Sequence, residues 1–259
     1  MLRFGELFSK SWSEYKLNFK LFFQLFLWFS LVPTIIFSAI VIFFFNEGLS
    51  SYSVVTLFST FLPLFILIGL ITVILSVFMT LAMIYTAFYP KNKLKLGQAF
   101  KGGLAYFWRY IGLAIVLIFF LAVLFLLLII PGIIFMVYWV FAFYILVREN
   151  TGIWESMKRS KAVVKGRWWK VFGFSLLMII IVSLISFVFS IPEIILGLVS
   201  AALSTALSTA GSAVLLESPW GVYLAGIVKA FGTLIATPLM ILFFKNFYLD
   251  LRANMGKKN

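Results

Sequence analysis

The chain predicts an all-α integral membrane protein. Six transmembrane helices are expected as three hairpins, each preceded by an amphipathic interfacial helix on the cytoplasmic side. Three observations carry that expectation. Of 259 residues, 64% are hydrophobic and 11% charged, a balance that excludes a water-soluble domain. The apolar residues fall in runs long enough to cross a hydrocarbon core of ~30 Å. Every Lys and Arg except Lys229 lies in one of four segments: 1–20, 91–109, 148–170 and 245–259. The other connections carry only Glu47, Glu193 and Glu217, or no charge at all. This is the positive-inside pattern, and it puts both termini in the cytoplasm. The net charge of +13 therefore reads as orientation rather than nucleic-acid binding, since no basic stretch is long enough to fold alone.

The first span is expected over 21–45. It is too long for a signal-peptide core of roughly 7–15 residues, and Pro33 is placed to kink it. The second runs over 64–89, opening after Pro63 and closing at Tyr89-Pro90. Residues 111–147 as one helix would measure ~55 Å. Pro131-Gly132 divides that run into spans at 111–130 and 133–147, with basic flanks that require an even number of crossings. Spans five and six are expected at 171–191 and 222–247. Between them, 194–215 is apolar and rich in Gly, Ala, Ser and Thr. A seventh crossing there would put Arg252, Lys257 and Lys258 outside, so the segment is expected as an external interfacial or re-entrant element. Residues 49–62 read as its shorter counterpart. The whole is one transmembrane domain in three segments, 1–90, 91–150 and 151–259.

A weak internal repeat underlies those segments. Glu6-Leu7-Phe8-Ser9-Lys10, Gln98-Ala99-Phe100-Lys101 and Glu155-Ser156-Met157-Lys158 each open a short amphipathic stretch. Each leads to an aromatic–basic anchor: Trp12 and Tyr15, then Phe107-Trp108-Arg109-Tyr110, then Arg167-Trp168-Trp169-Lys170. In the first stretch Phe4, Phe8, Trp12 and Tyr15 share one helical face, as suits a helix lying among headgroups.

Residues 130–150 and 154–177 carry Pro131-Gly132, Tyr138-Trp139, Glu149, Ser160, Lys165-Gly166-Arg167 and Trp168-Trp169. In these the chain resembles uncharacterised bacterial polytopic membrane proteins related to the membrane domain of glycerophosphoryl diester phosphodiesterases. The resemblance implies a multi-pass protein of a bacterial plasma membrane. It does not carry over phosphodiesterase activity, which belongs to a soluble domain absent here.

Two sets of residues stand out as candidate sites. Segment 148–170 has a net charge of +5. Its Lys158, Arg159, Lys161, Lys165, Arg167 and Lys170, with Trp168 and Trp169, suit anionic lipid headgroups, or else a partner protein or phosphorylated ligand. Lys229 is the one cation inside a span, ~10 Å past the proposed start of span six. It either snorkels to the headgroups, pairs with Glu193 or Glu217, or lines a cavity beside Pro238.

With no His and no Cys, imidazole and thiol chemistry and Cys/His metal sites are unavailable, and no nucleophile is marked. No enzyme, metal or cofactor is expected. The leading expectation is an accessory or scaffold protein contacting anionic lipids and a membrane protein partner. The alternative is a small transporter or lipid-handling protein with an outward-facing cavity near Lys229.

Overall fold

The computed structural model describes residues 1–36, 39, 54–88, 94–208 and 219–255; the side chains of 54–61, 65, 200, 201, 203–208 and 219–225 are not described. Glu217, residues 209–215 and Tyr89-Pro90 lie outside the described residues. Every regular element among those described is helical: α1 Phe4–Leu17, α2 Phe19–Phe26, α3 Val54–Phe88, α4 Leu96–Leu104, α5 Phe107–Leu127, α6 Ile129–Tyr138, α7 Ala142–Glu149, α8 Ile153–Val164, α9 Trp168–Ser208 and α10 Pro219–Ala253. Among the described residues, six helices are long and apolar enough to cross a membrane: Phe19–Ile36, Leu62–Phe88, Phe107–Leu127, Ile129–Glu149, Trp168–Val199 and Gly226–Ala253. The chain is a multi-pass helical membrane protein.

Two compact units divide it. The first comprises Met1–Gln24, Val77–Val182 and Thr237–Asn259; the second comprises Leu25–Ser76 and Ser183–Ala236. This division cuts across the three sequence segments. All four basic stretches fall in the first unit, and Lys229 with Glu193 in the second.

The prolines behave differently from expectation. Residues 194–208 are not a separate external element but the continuation of α9, a single helix of 41 residues with Pro192 inside it. Likewise α3 does not open after Pro63: it begins at Val54 and carries Pro63 within its 35 residues. Lipid offers a broken backbone no hydrogen-bond partner, so a helix there bends around proline sooner than it ends. Near Pro33 the first span instead widens into a π turn at Leu27–Leu31, one recognised way to accommodate a disturbed hydrogen-bond ladder.

The turn expected at Pro131-Gly132 lies earlier, at Leu128, whose φ of -156° and ψ of 127° are extended. Pro131 then sits in the first turn of α6, where a missing N–H costs nothing. Gly132 is the residue that lets the two arms meet, since a Cβ there would lie 2.7 Å from the Phe125 ring.

The core of the first unit is aromatic. Phe22, Phe141, Phe243, Phe247 and Tyr248 are fully buried, and Phe141 packs its ring against those of Phe244, Phe247 and Tyr248.

Candidate functional site: a polar layer where the helices end

The three amphipathic helices are built alike. In α1 the Arg3 N–H donates to Glu6 Oε2 at 2.7 Å, and in α4 the Lys95 N–H donates to Gln98 Oε1 at 3.0 Å. Each acid or amide thus closes an orphan donor of the first turn. Glu155 holds the same place in α8 but accepts from Arg159 Nε at 2.7 Å. One residue further on, Leu7, Ala99 and Ser156 are buried, and one helical turn beyond them so are Ser11, Gly103 and Ser160. The repeat is therefore a docking face, with a small residue at the point of closest approach.

Each small residue meets a different part of the bundle. A Cβ on Gly103 would come within 2.9 Å of the Ala82 backbone nitrogen on α3. Ser160 Oγ donates to the Tyr138 carbonyl at 2.7 Å and accepts from the Phe141 N–H at 3.2 Å. One hydroxyl thereby satisfies both ends of the break between α6 and α7, where each backbone group would otherwise be orphaned. Ser11 Oγ accepts from Asn246 Nδ2 of α10 at 3.1 Å. So α4 docks on the described helix before it, α8 on the helix pair before it, and α1 on α10.

The α1–α10 contact holds a buried ion pair. Lys245 Nζ donates to Glu14 Oε2 at 2.6 Å, with the two side chains only 7% and 8% exposed. Asn246 Nδ2 also reaches Glu14 Oε2, at 3.3 Å. The chain ends are tied on the same contact: the Leu2 N–H lies 3.2 Å from Asp250 Oδ2, and Lys170 Nζ donates to the Leu2 carbonyl at 3.2 Å. Beside Glu14, burial pushes the Tyr15 phenol above its ordinary pKa. The face expected among headgroups is accordingly corrected. Tyr15 is buried, and the inward face of α1 is Leu7, Ser11, Glu14 and Tyr15.

A second knot centres on Glu149 at the end of α7. Its carboxylate accepts from Arg159, from the Tyr248 hydroxyl and from Arg252 Nη1, the last at 2.9 Å. Hydrogen bonds from Arg159 to Glu155 and Glu149 hold that guanidinium above its ordinary pKa. Asn150 ends α7 in the left-handed conformation, φ 51°, and its Oδ1 accepts from Arg109 Nη1 at 2.7 Å.

The basic cluster of 148–170 therefore splits. Arg159 is engaged as above. Arg167 forks to the Leu251 and Asn254 carbonyls, both at 2.9 Å, and caps the end of α10. Trp168 Nε1 donates to the Ile134 carbonyl at 3.2 Å, and Lys161 Nζ lies over the Phe135 and Tyr138 rings. Lys158, Lys165 and Trp169 remain exposed, with Trp108 and Trp154 in the same unit. Gly166 makes the turn into α9 at φ 78°, a conformation that a side chain strains.

In the second unit, Lys229 Nζ meets Glu193 Oε2 at 2.8 Å, with side chains 54% and 42% exposed. Glu193, one of the two carboxylates offered to Lys229 by the sequence, is thus paired with it; Glu217 lies outside the described residues. Among the described residues, no group of three or more His, Cys, Asp or Glu could hold a metal ion. Sequence reasoning missed Glu14, Lys245, Ser11 and Asn246. The signal present was the spacing Leu7, Ser11, Glu14, which places a carboxylate on an otherwise small and apolar face. Comparison with protein-family models, curated proteins and solved structures gives no match.

Proposed function

We propose that this chain is a non-enzymatic accessory or scaffold protein of a bacterial plasma membrane, with both termini cytoplasmic, contacting anionic lipid headgroups and a membrane protein partner. The observation that carries the reading is the division of labour in the basic cluster. Arg159, Arg167 and Lys170 serve internal contacts. Lys158 and Lys165, with Trp108, Trp154 and Trp169, face outward. Lysine beside exposed tryptophan suits the headgroup region, where each cation near an anionic surface contributes ~1 kcal/mol. The kinship suggested by residues 130–177 belongs to the same proposal.

The alternative, a transporter or lipid-handling protein, drew its support from a cavity at Lys229. An ion pair with both side chains about half exposed is a poor wall for an enclosed path, and it favours the first reading.

Purification in native nanodiscs is the test. A membrane protein partner retained in fixed ratio, with anionic phospholipid preferred over zwitterionic lipid by the wild type and less by K158Q/K165Q, is the expected result. Saturable solute uptake or lipid exchange by the purified chain alone in proteoliposomes would sink the scaffold reading.

A further inference from the structure

The third and fourth candidate spans, Phe107–Leu127 and Ile129–Glu149, lie crosswise to the helices around them. The partners of these helices on α8, α9 and α10 bear on this. The Ile134 carbonyl takes Trp168, whose neighbour Arg167 binds the Leu251 carbonyl. Phe141 meets Phe244, Phe247 and Tyr248. Glu149 takes Tyr248 and Arg252. Midway along the arms, Phe120 of α5 meets Trp154 and Phe135 of α6 lies under Lys161, both partners belonging to the amphipathic helix α8. The arms therefore pass over a short amphipathic helix rather than rising away from it.

The opposite arm agrees. The Phe107 ring stacks on Phe78 at 4.5 Å, while Arg148 stands over Phe88 at 5.7 Å. The start of α5 and the end of α7 therefore contact α3 ten residues apart, ~15 Å along its axis. The two arms thus meet α3 at different levels, as a hairpin lying across it does.

The tip completes the case. Leu126, Leu127, Leu128, Ile129 and Ile130 are 65–88% exposed, and residues 111–137 contain no charged residue and no Ser, Thr, Asn or Gln. A turn that emerged among the headgroups on the far side would expose this tip to water. Meanwhile Trp108, Trp154 and Trp169, all exposed, belong to the same unit as the hairpin's basic flanks.

We propose that α5 and α6 form an apolar hairpin that lies within the leaflet on the basic side and crosses nothing, its tip in contact with the acyl chains of that leaflet. The ligand class is lipid acyl chain, and the docking surface is the exposed side of α5 with the tip. This rests on the membrane reading above and deepens it: four helices cross, and the charge rule is kept because zero crossings is also even.

The absence of cysteine makes the test direct. Single substitutions Leu128→Cys and Leu126→Cys are made in the full chain, with Trp169→Cys and Gly221→Cys marking the basic and opposite faces. In sealed vesicles of oriented protein, an impermeant maleimide is expected to label each marker from its own face and neither tip residue from either face. After detergent both tip thiols react. A nitroxide at either tip position is expected to relax with oxygen and not with a water-soluble nickel chelate. Labelling of the tip from the Gly221 face means that the hairpin crosses, and labelling from the Trp169 face means that the tip is in water; each overturns the proposal. Spin–spin broadening between tips at high lipid dilution would put a second copy there and overturn it too. If both markers labelled from one face, the topology reading itself would fail, an outcome separate from the tip result.

Discussion

At the residue scale, the contact that matters most is between groups 231 positions apart, Glu14 and Lys245. Removing one member of a buried pair leaves the other's charge uncompensated, at a cost of about 3–5 kcal/mol. Lys245→Met is therefore expected to lower the unfolding midpoint in detergent sharply, and the double variant Glu14→Leu/Lys245→Met to recover most of the loss. If the double variant is as unstable as the single one, the pair is not the source of the penalty. Ser160→Ala leaves the Tyr138 carbonyl and Phe141 N–H without their shared partner. A loss of about 1–3 kcal/mol is expected, measured by the same unfolding assay. Ser160, Glu149 and Arg167 were legible as a motif, and the structure shows why the three types occur together: a break to bridge, a carboxylate to gather donors, a fork to cap carbonyls. Glu14 and Lys245 were not. Charge counting assigns each to a cytoplasmic segment and says nothing of which helix will bury it.

At the element scale, close approach is read from glycine. Gly103→Ala drives a methyl into the α3 backbone at 2.9 Å, whereas Gly97, on the same helix, has nothing within 4 Å of an added Cβ. The first substitution is expected to destabilise by about 1–3 kcal/mol. The second is expected to be neutral or to stabilise by up to about 1 kcal/mol, through helix propensity. Equal effects in thermal unfolding would mean that α4 does not dock on α3 through Gly103. The helices themselves were visible as apolar runs, and the three short ones as a repeated pattern. The start expected after Pro63 was misread because proline was weighed as it acts in water, and in lipid a helix end is the costlier alternative. The break expected at Pro131 exists but lies at Leu128.

At the scale of the whole molecule, the charge pattern gives the expected orientation, and parity follows from it. Parity does not separate two crossings from none, so charge counting expects a spanning hairpin at 107–149 and is equally compatible with the proposed one that crosses nothing. Deleting residues 2–17 tests the contact between α1 and α10. It uncovers Lys245 and Asn246 and leaves Asp250 without the Leu2 N–H. The truncated chain is expected to lose its cooperative transition and to elute as aggregate, while a variant lacking only the exposed aromatic, Trp12→Ala, is expected to behave as wild type. A monodisperse, cooperatively unfolding truncation would show that α1 is an accessory to the bundle rather than part of it. The clasp between α1 and α10 also sets an order of events during synthesis. Its two halves leave the ribosome 231 residues apart, and only then do Ser11 and Glu14 reach Asn246 and Lys245. The nascent chain must hold α1 in reserve while the segments between are made. Closure of the clasp then reports that translation has passed Lys245, and a chain stalled before that point leaves it open.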